Sequence, residues 1–127
     1  MIINKDKILI VEDDKTSQVY YSAILGDLYD LTLVPTAEMA SEALQQDKFK
    51  LAIIDISLPG GEDGISLIKY IRKEYTDELP LIVITAHAFP EVKKEALEAG
   101  VVEFFTKPIM SGDLLEVVGK YLLVTHR

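Results

Sequence analysis

Cysteine is absent from the chain, which rules out both a disulfide framework and a thiolate metal site. Positive charge is scarce as well. Thirteen Lys and Arg stand against 21 Asp and Glu, for a formal net charge of -8. Phosphate surfaces are bound by clustered cations, so this deficit argues against a nucleic-acid or anionic-membrane surface. No apolar stretch approaches the roughly 18 residues of a membrane span, and Met1–Asp6 lacks the hydrophobic run of a signal peptide. These absences point to the cytoplasm. Repeats, low-complexity segments and internal linkers are also lacking. Histidine is limited to His87 and His126. His87 reads as a surface loop residue after a strand, and His126, beside the C-terminus, as inert. What remains is ordinary for one globular domain over 1–127: 49% hydrophobic and 27% charged residues, enough to bury a core.

The organising stretch is Leu51-Ala52-Ile53-Ile54-Asp55, four apolar residues running into one carboxylate. Bounded by Lys48 and Lys50 before and Pro59-Gly60-Gly61 after, it reads as a buried strand of a parallel sheet. Ile8–Val11 runs likewise into Glu12-Asp13-Asp14, and Leu81–Ile84 into Thr85. A fourth strand is expected at Leu31–Val34, more polar and so nearer an edge, and a fifth at Val101–Phe105. Between and after the strands come five helical patterns. The first spans 15–26, with Asp14 as N-cap and Gly26 as stop. The second follows a Thr36 cap through Leu44, and the third runs from Ile65 to Tyr75. The fourth opens at Pro90 and ends at Gly100, and the last covers 111–123.

Strand-helix alternation repeated five times predicts an α/β fold. The expected form is a doubly wound five-stranded parallel sheet covered on both faces, in the order 2-1-3-4-5. Such a fold is the flavodoxin-like (βα)5 three-layer sandwich. Its ligand crevice lies at the carboxyl ends of strands one and three, which here end at Asp13 and Asp55.

Carboxylates crowded at one sheet edge repel and resist burial. A divalent cation resolves the conflict, and oxygen ligands of this kind suit Mg²⁺. Asp13 and Asp55 are expected to bind it directly, with the backbone carbonyl of Ser57 in reach and Glu12 acting directly or through water. Asp14 is explained by helix capping alone. After the fifth strand, the fold aims Lys107 of Thr106-Lys107-Pro108 at the acids. Lys107 and the Thr85 hydroxyl are then placed to bind the oxygens of an incoming phosphoryl group. Phosphoryl transfer asks for little beyond positioning and neutralised charge, and the product would be an acyl phosphate on Asp55.

These residues, in order and over essentially the whole chain, resemble the response-regulator receiver domains of two-component signalling. The resemblance rests on Glu12-Asp13, Asp55 with Pro59 four residues on, Thr85-Ala86 and Lys107-Pro108. It implies Asp55 as phosphoacceptor, Asp13 as main acidic metal ligand, Thr85 as switch hydroxyl, Lys107 as phosphate-binding lysine and Phe104 as switch aromatic. It further implies a histidine kinase or histidine phosphotransfer domain as donor, with slow autodephosphorylation. The output is a downstream protein target or output domain. No nucleic acid or membrane contact is expected through this domain, which would be a monomer or weak dimer and not an enzyme. No output domain follows, so output is expected through protein contact.

Three features depart from the family pattern. Gly64 follows Pro59 by five residues rather than four, so the loop Gly60-Gly61-Glu62-Asp63 is one residue longer. Phe104 lacks the hydroxyl of the Tyr often found there. Ser57 and His87 sit two past Asp55 and Thr85, at positions that vary and tune dephosphorylation. Two helices carry more apolar residues than one buried stripe needs: Val19, Tyr20, Tyr21, Ala23, Ile24 and Leu25 in the first, and Leu114, Leu115, Val117, Val118, Tyr121 and Leu122 in the last. Each is either a wide core face or a docking patch, the first for a helical phosphohistidine donor.

Rival readings are weaker. An Mg²⁺-dependent aspartyl phosphohydrolase commonly places a second Asp two residues after its nucleophile, where this chain has Ser57. It also needs a substrate cap, for which 127 residues leave no room. A pseudo-receiver would have lost Asp55 or Lys107. In a flavodoxin-like carrier the acids after strand one would repel the flavin phosphate.

Overall fold

The computed structural model describes residues 5–58 and 63–122. The expectations at Pro59, over Gly60–Glu62 in the longer loop, at Leu123 and at His126 fall outside the described residues. The elements in order are β1 (Lys7–Val11), α1 (Lys15–Leu25), β2 (Asp30–Val34), α2 (Ala37–Gln46), β3 (Leu51–Ile54) and α3 (Gly64–Tyr70). After α3 come a π-helical turn (Ile71–Tyr75), β4 (Leu81–Thr85), α4 (Pro90–Glu98), β5 (Glu103–Thr106) and α5 (Ser111–Tyr121).

The five strands pair in parallel in the order β2-β1-β3-β4-β5. Alternation along each strand splits the core in two. Leu9, Val11, Ala52, Ile54, Leu81 and Val83 face one side, with residues of α2, α3 and α4 packed on them. Ile8, Ile10, Leu51, Ile53, Ile82 and Ile84 face the other, against α1 and α5. The three central strands are buried on both faces, which is why they read as unbroken apolar runs. β2, the more polar strand, is at an edge as expected. No helix among the described residues is long and apolar enough to cross a membrane.

Local signals placed most boundaries. Asp14, Thr36 and Asp63 cap α1, α2 and α3, each accepting from a backbone N–H three residues on. Pro90 sits in the first turn of α4. Two expectations need correction. The third helix is not one α-helix, because it widens into the π turn, where the Thr76 N–H reaches back to the Ile71 carbonyl. The fifth strand begins at Glu103, not Val101. Gly100 turns the chain with φ 110°, and the Val101 N–H closes α4 on the Ala96 carbonyl instead of entering the sheet. Val101 is still buried in the core, so its apolar character comes from packing rather than strand pairing.

On α1 the apolar residues divide. Tyr21 and Leu25 are buried, Tyr20 and Ile24 are half-buried, and Val19 is 69% exposed. The helix therefore carries both a core stripe and an outward patch.

Candidate functional site

The backbone ladder aims the site residues. The Glu12 N–H donates to the Val34 carbonyl and the Asp55 N–H to the Val11 carbonyl, so both acids leave the sheet at the same level. Thr85 is the last residue of β4, in register with Thr106, and the Lys107 N–H donates to the Thr85 carbonyl. The Lys107–Pro108 peptide is cis. Gly64 lies so close to the Asp55 carbonyl that a Cβ would come within 2.3 Å of its oxygen, and only glycine lets α3 start there.

Among the described residues, the buried polar or charged ones are Glu12, Asp55 and Thr85. All three belong to this cluster. Asp55 Oδ1 accepts from Thr85 Oγ1 at 2.7 Å and from the Ser57 N–H at 3.1 Å. Its Oδ2 accepts from Lys107 Nζ at 3.0 Å. The same ammonium donates to Glu12 Oε1 at 2.6 Å and to Ser17 Oγ at 3.1 Å. Glu12 Oε2 accepts the Asp14 N–H at 3.1 Å. Asp13 is exposed at the mouth.

Lys107 and three acids leave the cluster net negative. Burial pushes the Glu12 carboxyl above its ordinary range, against the downward pull of hydrogen bonds from Lys107 and the Asp14 amide. The charge of Asp55 adds to the rise. Burial works against the Lys107 ammonium, but its bonds to Glu12 and Asp55 outweigh that and raise it. The hydroxyl of the buried Tyr21 is raised by burial and then by the charges of Glu12 and Asp55.

One carboxylate oxygen from each of Glu12, Asp13 and Asp55 lies within 4.8 Å of the others. An all-oxygen, net-negative donor set fits a hard divalent cation. The expected acids, the hydroxyl and the lysine are thus brought together. Phe104 stands apart, half-buried on the α2–α4 side, with Phe105 on the opposite face. His87 is exposed, and only its backbone N–H, donating to Thr85 Oγ1, touches the cluster. Sequence reasoning missed Ser17 and Gln18. Ser17 contacts Lys107, and Gln18 Nε2 donates to the Glu12 carbonyl at 2.6 Å. The one available signal was the Asp14 cap, since a residue three past an N-cap returns to the cap's side of the helix.

Comparison with known proteins agrees with this geometry. The family model for the response regulator receiver domain matches residues 8–119. The chain is 33% identical over 119 residues to the response regulator protein FleR of Pseudomonas aeruginosa, covering 92% of this chain but only 24% of that protein. A receiver domain protein from Methanospirillum hungatei superposes with a TM-score of 0.85 at 29% identity, over 92% of this chain and 93% of that one. The receiver domain of a Pseudomonas aeruginosa sensor histidine kinase, solved with a magnesium ion in its active-site cleft, gives 0.82 at 28% identity, over 93% and 98%. With the strand order, the carboxyl-edge acid cluster and these matches in hand, the chain belongs to the response-regulator receiver domains of two-component signal transduction.

Proposed function

We propose that Asp55 is the phosphoacceptor of this domain and that Glu12, Asp13, Asp55 and the Ser57 backbone carbonyl hold Mg²⁺. The observation that carries the reading is the division of labour at Asp55. Thr85 and the Ser57 amide hold Oδ1, while Oδ2 faces the Lys107 ammonium across a net-negative pocket. An Asp55 oxygen attacks phosphorus, the bond from phosphorus to the donor's imidazole nitrogen breaks, and that nitrogen keeps the electron pair. Lys107 turns from Oδ2 to the arriving phosphoryl oxygens. A bound Mg²⁺ supplies charge neutralisation for those oxygens. The Thr85 hydroxyl, released from Asp55, follows the phosphoryl group, and Phe104 on the next strand relays the change to the surface. Hydrolysis of the acyl phosphate resets the domain slowly, and the domain acts on no other substrate.

In this reading residues 1–127 form one cytoplasmic receiver domain. Its donor is a histidine kinase or histidine phosphotransfer domain. On α1, Tyr20 borders a groove of about 480 Å³ lined also by Thr16, Pro108, Ile109 and Met110 beside Lys107. An apolar donor helix fits there. Output passes to a protein target or output domain, and the domain is a monomer or weak dimer.

The test is mass spectrometry after incubation with acetyl phosphate and Mg²⁺. Wild type gains one phosphoryl group and Asp55→Asn gains none. A full gain in Asp55→Asn moves the site elsewhere.

A further inference from the structure

The geometry points to Ser17 as the residue that positions Lys107 for phosphoryl transfer, an inference that rests on the proposed roles of Asp55 and Lys107. An ammonium has three N–H donors, and here each has a partner: Glu12 Oε1, Asp55 Oδ2 and Ser17 Oγ. Two of these partners change during the reaction. Asp55 becomes the acyl phosphate, and Glu12 belongs to the acid group that takes the cation. Ser17 is neither the phosphoacceptor nor one of the clustered acids. It remains a fixed post for the ammonium while the other two contacts are exchanged.

The hydroxyl is set up for this. Ser17 Oγ donates its only proton to Asp14 Oδ2 at 2.8 Å, which leaves its lone pairs for Lys107. Asp14 is itself immobilised as the α1 N-cap, with the same Oδ2 accepting the Ser17 N–H at 3.0 Å. Capping needs only that backbone amide. The side-chain hydroxyl adds a second bond to the cap and, beyond it, reaches the lysine 90 residues away. Lysine has a flexible four-carbon stem, so a neutral contact from α1 narrows its arc without adding to the charges it must serve.

The experiment compares wild type, Ser17→Ala and Ser17→Thr in acetyl phosphate phosphorylation, with Mg²⁺ affinity and thermal melts measured alongside. Losing one charge-assisted hydrogen bond from the ammonium slows phosphorylation by about tenfold or more in Ser17→Ala. Ser17→Thr restores the rate, and Mg²⁺ affinity stays at the wild-type value in both, while melting falls in Ser17→Ala by no more than its lost hydrogen bonds account for and recovers in Ser17→Thr. In Lys107→Met, which keeps the aliphatic stem, adding Ser17→Ala produces no further slowing. The inference is overturned if Ser17→Ala is as fast as wild type, if threonine fails to restore the rate, or if the same factor is lost in the Lys107→Met background. If instead Lys107→Met itself phosphorylates at the wild-type rate, it is the reading of the site that fails.

Discussion

Two trios of identical charge sit at opposite ends of the sheet. At the amino edge, Lys7 lies 3.1 Å from Asp47 and 4.0 Å from Asp30, with side chains 42%, 48% and 54% exposed. At the carboxyl edge, Lys107 lies 2.6 Å from Glu12 and 3.0 Å from Asp55, with side chains 21%, 2% and 8% exposed. One lysine serves two acids in each. The difference is water. At the amino edge solvent already satisfies all three groups, and such a pair contributes about 0–1 kcal/mol. At the carboxyl edge the charges have lost hydration that costs several kcal/mol per ion, and they depend on one another. Pairing alone therefore does not mark a functional site. Charge held out of water in net excess does, because it is poised to take up a cation and a phosphoryl group.

The comparison breaks most visibly when each lysine is removed. Lys107→Ala strands two buried carboxylates and should lower stability by about 3 kcal/mol, whereas Lys7→Ala should cost at most about 1 kcal/mol. Urea unfolding in EDTA at neutral pH measures both, and equal losses would show that burial makes no difference.

Asp13 sharpens it next. Its carboxylate adds repulsion to a cluster already in excess, so Asp13→Asn should melt higher than wild type without metal, although most substitutions lower stability. Mg²⁺ should stabilise wild type by roughly 1–3 kcal/mol at 10–100 times Kd, and Asp13→Asn should lose most of that gain. Paired thermal melts in EDTA and in excess Mg²⁺ decide it. A variant that melts lower in EDTA yet gains as much from Mg²⁺ would reduce the acids to helix caps.

The subtlest effect is in pH. Burial holds the Glu12 carboxyl above its ordinary value of 4.5, so the folded protein binds this proton more tightly than the unfolded chain. The stability Glu12 contributes is then complete below about pH 4.5 and is lost as pH rises through its folded value. Glu12→Gln, neutral throughout, should flatten the metal-free stability profile above pH 4.5. A profile with the wild-type slope would assign that slope to other groups.

Much of this was legible in the chain because it is local. Three short, unbroken apolar runs dictate strands buried on both faces. Asp14, Thr36 and Pro90 mark helix starts through backbone groups within a turn of themselves. Repeated strand and helix units with right-handed crossovers leave few sheet orders. The order 2-1-3-4-5 in turn sets Asp55, Thr85, Glu12 and Lys107 at one edge. Other features had no local signal. Val101 and Val102 look like strand, yet the Gly100 turn spends the Val101 amide on α4. The helix through Tyr75 has α-helical spacing, and nothing in it foretells the π turn.

Within the site, the residue types and their edge were determined by sequence alone. Tertiary structure decided which acid is buried. Glu12 and Asp13 are neighbours in the loop after β1 and their carboxylates lie within 4.8 Å of each other, yet Glu12 is packed against Lys107 and Asp13 is exposed. It also brought the Ser17 hydroxyl to an ammonium 90 residues away. A contact of that range depends on how α1 and the loop after β5 pack at the carboxyl edge of the sheet, and packing is a property of all the elements together.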